Sequence, residues 1–250
     1  MTSLQFYTMD DGRKIAFRYL AGSGPALVFL PGYLSDMDGG KATAVMEWAR
    51  AQHRGCLLLD YSGCGRSNGD FADGTLSRWA EEVLALIEVK QLREIVLIGS
   101  SMGGWLMLLV GLRLGSKLAG MFGIAAAPDF SDWGYSDDQK QALRAGETIY
   151  EDNPYGPEPT PTYARFWHDA EHCKLLETPI AIDCPVHLLH GQADGDVPWQ
   201  ISLRLAGQLR SDDIQVTLVK SGDHRLSRGE DIALLLRSLA ALNTAERPEI

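Results

Sequence analysis

The 250-residue chain predicts an α/β fold: a mostly parallel eight-stranded sheet flanked by helices, with one small insertion. Three observations carry this. Short β-like runs alternate with helical patterns along almost the whole length. Runs such as Ala26-Leu27-Val28-Phe29-Leu30 are continuously apolar instead of alternating, which marks strands buried on both faces and so a parallel sheet covered by helices. The length, with 45% hydrophobic and 22% charged residues, suits a single domain over 1–250 with a sizeable core.

The elements follow in order. Strands at 4–8 and 14–20 open the chain as an antiparallel edge, followed by a strand at 26–30, a helix at 41–53 and a strand at 56–60. In the helix at 75–90, Leu76, Trp79, Val83 and Ile87 recur three or four apart, an apolar stripe that packs on the sheet. A strand at 94–99 leads into a helical run beginning Trp105-Leu106-Met107. Further strands are read at 121–126, 186–190 and 214–219, with helices at 199–209 and 230–242.

One stretch breaks the rhythm. Residues 128–179 hold six of the eleven prolines, among them Pro154, Pro157, Pro159 and Pro161, together with Trp133 and Trp167. Proline at that density ends helices and fixes loop geometry. The insertion, set at 128–183, is expected to form a lid with short helices near 136–150 and 163–175. No repeat or low-complexity tract divides the chain.

Charge and composition narrow the partners. A net charge of -10 and a sequence pI near 5.0 repel phosphate backbones and anionic surfaces, which argues against nucleic acid. No apolar run approaches a membrane span, so stable membrane insertion is not expected. Residues 1–17 show neither a basic segment followed by an apolar stretch nor an Arg-rich amphipathic presequence, so the expected location is cytoplasmic. The spacing of Cys56, Cys64, Cys173 and Cys184 builds no CxxC pair, which favours reduced, mostly buried thiols over a zinc site. Neither a metal nor an organic cofactor is expected, and a monomer or weak homo-oligomer is anticipated.

Gly99-Ser100-Ser101-Met102-Gly103 is a G-x-S-x-G pentapeptide between a strand and a helix. That context reads as a nucleophile elbow, in which small flanking residues allow a strained serine onto a sharp turn. Ser101 is the expected nucleophile. A serine hydroxyl needs a base, and His224, in Ser221-Gly222-Asp223-His224-Arg225, follows the last strand at the carboxyl edge of the sheet, where catalytic groups gather. His190 also ends a strand but sits in an apolar run and reads as structural. The base needs a carboxylate to fix its tautomer. Asp194, in His190-Gly191-Gln192-Ala193-Asp194-Gly195-Asp196-Val197-Pro198, fits the chain order Ser, Asp, His, with Asp196 second and Asp223 read as a loop residue. The oxyanion requires two converging amides, assigned to Met102 at the helix start and to Tyr33 in Pro31-Gly32-Tyr33-Leu34.

Two other patterns favour structural readings. His168 and His172 lie one helical turn apart but lack a third metal ligand. Asp60-Tyr61-Ser62-Gly63-Cys64-Gly65-Arg66-Ser67 contains no phosphate-loop lysine and reads as a tight turn.

The stretches Leu30–Met37, Asp60–Gly65, Gly99–Met107, Leu189–Trp199, Glu171–Leu176 and Asp223–Arg225 together resemble the palmitoyl-protein thioesterase and acyl-glucuronide esterase subfamily of α/β-hydrolases, over nearly the whole chain. The chain departs at Gly195-Asp196. The resemblance implies the α/β-hydrolase fold and a serine hydrolase of acyl thioesters and esters, with Ser101, Asp194 and His224 as its triad. Its substrate is expected to be a small molecule or an S-acylated protein. Trp133, Phe166 and Trp167 serve either an acyl pocket or lid packing. Alternatives are a carboxylesterase or acyl-glucuronide esterase, a proline-type peptidase using Glu151, Asp152 or Glu171 to bind an amine, and a non-catalytic binding protein of the same fold.

Overall fold

Successive strand residues face opposite sides of a sheet, so a fully apolar strand must be covered twice. The computed structural model describes residues 2–153 and 156–242. Its elements are β1 (Leu4–Thr8), β2 (Lys14–Leu20), β3 (Ser23–Leu30), α1 (Gly40–Ala51), β4 (Arg54–Leu59), α2 (Leu76–Val89), β5 (Ile95–Ser100), α3 (Met102–Leu114) and β6 (Leu118–Ile124). Then come α4 (Phe130–Trp133), α5 (Asp137–Arg144), β7 (Ile149–Glu151), β8 (Thr160–Thr162), α6 (Ala164–His172), β9 (Val186–Gly191), α7 (Gln200–Gln208), β10 (Ile214–Val219) and α8 (Gly229–Leu242).

Eight strands form one sheet in the order β1-β2-β4-β3-β5-β6-β9-β10. From β4 to β10 all neighbours run parallel, whereas β1 and β2 form the antiparallel edge that the sequence predicts. Parity assigns the two cores. Val28, Leu30, Leu57, Leu59 and Leu97 face one side with Trp79 and Val83 of α2 and Leu106 of α3. Leu27, Phe29, Leu58, Val96 and Ile98 face the other with Val45 and Met46 of α1 and Leu235 and Leu239 of α8. Fully burying each such side chain contributes roughly 1.5–3 kcal/mol. The chain leaves β3 for β4 on one side and returns to β5 on the other. The carboxyl ends of these adjacent strands therefore mark the switch point where ligands bind in open α/β sheets.

The segment between β6 and β9 differs from expectation in detail. Ser136 starts α5 with a capping box to Gln139, but the helix ends at Arg144 and does not reach residue 150. Gly146 at φ 89° turns the chain, and β7 pairs antiparallel with β8 instead. The second expected helix, near 163–175, is the shorter α6. Pro154 of the predicted insertion lies outside the described residues, as do residues 1 and 243–250 of the predicted domain. Cys56, Cys64 and Cys184 are buried thiols and Cys173 is half-buried. Burial pushes the Cys56 and Cys64 thiols up to about 12.

Candidate active site

Steric exclusion places Ser101. It stands between β5 and α3 at φ 56°, ψ -123°, a conformation that costs a non-glycine residue on the order of 1–3 kcal/mol. Neighbouring bonds hold it there. Its amide donates to the Ile124 carbonyl at 2.9 Å, while its carbonyl accepts from Gly104 N–H at 2.8 Å and Ala127 N–H at 3.1 Å. A side chain on Gly99 would run into the Gly103 backbone, and one on Gly103 into the carbonyls of Leu30 and Pro31. Both glycines of the pentapeptide are thus required by close backbone approach.

Hydrogen bonding places the partners. His224 Nδ1 lies 2.9 Å from Asp194 Oδ2, and His224 Nε2 lies 3.0 Å from Ser101 Oγ. A carboxylate only accepts, so Nδ1 carries the proton and Nε2 is left to accept from the serine hydroxyl. The Asp194 side chain is fully buried. Its Oδ1 takes the amides of Asp196 at 2.9 Å and Val197 at 2.8 Å. Its Oδ2 takes a second histidine, His190 Nε2, at 3.1 Å. Burial alone would raise the Asp194 pKa; the His190 and His224 bonds, the His224 charge and the Val197 amide outweigh it and hold the carboxyl well below the usual carboxylate range.

The loop carrying Tyr33 is pinned at several points. Tyr61 Oη donates to the Pro31 carbonyl at 3.1 Å. Asp60, buried, accepts the Met37 amide at 2.7 Å and the Arg66 amide at 2.8 Å. Gly65, at φ 50°, leaves no room for a Cβ beside that carboxylate. The glycine-rich loop is thus a turn that clamps the neighbouring loop. Gly32 packs against Ser100 and Ser101, which brings the following residue, Tyr33, beside Ser101. Met102 opens α3, where amides lack an acceptor within the helix. Tyr33 Oη donates to Pro161 O at 3.0 Å, and its ring meets Phe71 at 4.9 Å and Phe166 at 5.1 Å.

These residues open into a cavity of about 780 Å³ lined by Ser101, Met102, Tyr33 and His224, with Phe130, Trp133 and Tyr135 from the β6–β9 segment. The aromatic residues expected to serve either a pocket or packing divide between the two tasks. Trp133 lines the cavity, whereas Phe166 and Trp167 are buried among other side chains; Trp167 Nε1 donates to the Ser131 carbonyl at 3.0 Å. Trp105 ties α3 to the same segment through Cys173 O at 3.0 Å.

Of the other candidates, Asp196 is exposed and Asp223 caps the Leu226 amide at 2.9 Å. His168 and His172 are exposed, and His172 Nδ1 bonds the His168 carbonyl at 2.7 Å. Glu171 is engaged by Ser131 at 2.7 Å and Lys174 at 3.3 Å, while Glu151 and Asp152 line the cavity. Asp194, Asp196 and His224 bring possible cation ligands within 4.8 Å of one another, but Asp194 and His224 are already bonded to each other. His190 was read from sequence as structural. It is buried, yet its partner is the Asp194 carboxylate, and Ser202 Oγ at 2.7 Å with Val197 O at 3.1 Å completes its shell. The only sequence signal was its position four residues before Asp194, at the end of β9.

The model of the Alpha/beta hydrolase family matches residues 27–236. The mouse (Mus musculus) protein named palmitoyl-protein thioesterase ABHD10, mitochondrial, is 38% identical over 242 residues, covering 94% of this chain and 80% of its own. The human (Homo sapiens) protein of the same name is 35% identical over 247 residues, covering 95% and 79%. A solved putative hydrolase from Agrobacterium vitis S4 superposes with a TM-score of 0.90 at 36% identity over 97% of this chain and 98% of its own. The mitochondrial names of the mouse and human relatives overturn the expected cytoplasmic location, which rested on the lack of a recognisable pattern in residues 1–17 and of an apolar run long enough to span a membrane. Among the described residues no helix is long and apolar enough to cross a membrane.

Proposed function

The chain belongs to the alpha/beta hydrolase family, and from that premise we propose that it is a serine hydrolase cleaving acyl thioesters and esters through Ser101, His224 and Asp194. One observation carries the reading: the unbroken path from Ser101 Oγ to His224 at 3.0 Å and on to Asp194 at 2.9 Å.

In this mechanism His224 Nε2 takes the Ser101 proton as Oγ attacks the acyl carbonyl. The amides of Tyr33 and Met102 hold the oxyanion, the term whose loss costs on the order of a hundredfold or more per donor. Asp194 stabilises the imidazolium, which then gives its proton to the departing sulfur or oxygen. Water, deprotonated by the same histidine, attacks the acyl-enzyme; the proton returns to Ser101 and the carboxylic acid leaves. Phe130, Trp133 and Tyr135 supply an apolar wall for the acyl chain, and residues 128–183 act as a lid over the site. The thioester preference draws on the name of the mouse and human relatives.

The test is a matched series of S-acyl and O-acyl substrates of rising chain length, with Ser101→Ala as control. Hydrolysis is expected to favour thioesters and to vanish in the variant. Full turnover by Ser101→Ala would overturn the mechanism, and cleavage of a prolyl anilide at rates matching the esters would replace the substrate class with a peptide.

A further inference from the structure

The mechanism does not use Lys41, in the first turn of α1, although it lines the cavity with His224, Arg225 and Ser227. Its surroundings are costly for a cation. The first turn of α1 holds no acidic residue and Gly39 offers no side-chain cap, so the ammonium stands at the positive end of a helix dipole. Burial, with the Arg225 charge second, pushes its pKa down to about 8, against the smaller pull of Asp223 and Asp231. Those two carboxylates are committed elsewhere. Asp231 is held by Arg228 at 2.7 Å and 2.8 Å, and Asp223 by the Leu226 amide at 2.9 Å. Among the described residues Lys41 forms no ion pair. Among the described residues its ammonium bonds the Arg225 carbonyl, one of the three donors it carries.

Position gives this half-buried charge a direction. General-acid catalysis requires the leaving atom to lie within reach of His224 Nε2. The leaving group therefore occupies the side of the cavity next to His224, which Lys41 and the exposed Arg225 flank. We propose that Lys41, with Arg225 at the rim, forms a subsite for an anionic oxygen group, carboxylate or phosphate, carried on the leaving group. The inference rests on the serine-hydrolase reading and narrows its substrate class. An anion there adds to the weak counter-charge of Asp223 and Asp231, and the ammonium supplies charge-assisted hydrogen bonds.

The test uses three esters with one acyl group: 4-butanoyloxybenzoate, 4-butanoyloxyphenyl phosphate, and the neutral 4-butanoyloxybenzamide. The readout is the ratio of kcat/KM for each anionic ester to that for the neutral one, which does not depend on the fraction of active protein. In Lys41→Gln at least one ratio is expected to fall about tenfold, the scale of one charge-assisted bond, and the ratio that falls identifies carboxylate or phosphate. Lys41→Arg is expected to keep it. Unchanged ratios in Lys41→Gln, even with all rates reduced, would overturn the subsite and leave Lys41 acting only through the Arg225 carbonyl. Undiminished hydrolysis by Ser101→Ala would instead reject the serine mechanism, so the two failures are separable.

Discussion

The two ends of the path from Ser101 to Asp194 are held by opposite means. At the β5–α3 turn, absence does the work: Gly99 and Gly103 permit backbones to touch, and Ser101 is strained at φ 56°. At the turn after β9, presence does it: two histidine rings and two amides converge on one buried carboxylate. Steric placement tolerates no added atom, whereas a hydrogen-bonded site degrades by steps as donors are removed.

The contrast is testable by substitution, beginning with the hub of the bonded end. Asp194→Asn keeps the volume but loses the acceptor that fixes the His224 tautomer, and kcat is expected to fall about 10⁴-fold with little change in KM. A loss below tenfold in steady-state assays would mean that His224 is oriented by something else. Gly103→Ala tests the steric end. Its methyl group meets the carbonyls of Leu30 and Pro31, so chemical denaturation should show a loss of about 1–3 kcal/mol, and displacement of the Tyr33 amide should lower kcat on the order of a hundredfold. Wild-type stability and rate together would show that the turn has slack.

His190→Phe is expected to be milder, because three donors to Asp194 remain; kcat should fall about tenfold, the scale of one buried bond to a charged group. The same variant carries a pH signature. The Asp194 carboxyl is held below its unfolded range, so the stability it contributes is complete above about pH 4 and is lost as pH falls. Removing one donor raises the folded pKa and shrinks the total loss, which becomes visible only as pH approaches the folded pKa, so denaturant midpoints at about pH 6 and about pH 2 should differ less in His190→Phe than in wild type. An equal or larger difference would show that His190 does not depress the Asp194 pKa. Tyr33→Phe should have the smallest effect. It removes the hydroxyl that bonds Pro161 O and interacts with Thr162, with an expected cost of about 1 kcal/mol and a few-fold change in KM for long acyl chains. An unchanged melting temperature would mean that ring packing alone joins the loop carrying Tyr33 to the β6–β9 segment.

Legibility in the sequence follows the same division. The central parallel strands were readable because continuous apolar runs such as Ala26–Leu30 admit few other environments. The antiparallel β7–β8 pair was not, since three-residue strands carry too short a pattern, and Gly146 ended a helix that had been extended to residue 150. Ser101 was readable from its glycines. His190 was read as core because burial and an apolar context are all that a lone histidine shows. That its Nε2 meets Asp194, and that Asp60 and Tyr61 clamp the loop carrying Tyr33, depends on side chains brought together across turns.

The sequence by itself determined the sheet and the sharp turn at Ser101, because strand burial and close backbone approach are local demands that only certain residues satisfy. Tertiary structure alone decided that Trp133 faces the cavity while Phe166 and Trp167 are packed away, that a second histidine supports Asp194, and that Lys41 lines the cavity with His224 and bonds the Arg225 carbonyl. These are relations between residues far apart in the chain or across a turn, and a side chain's charge, exposure and partner are set by what the fold packs around it.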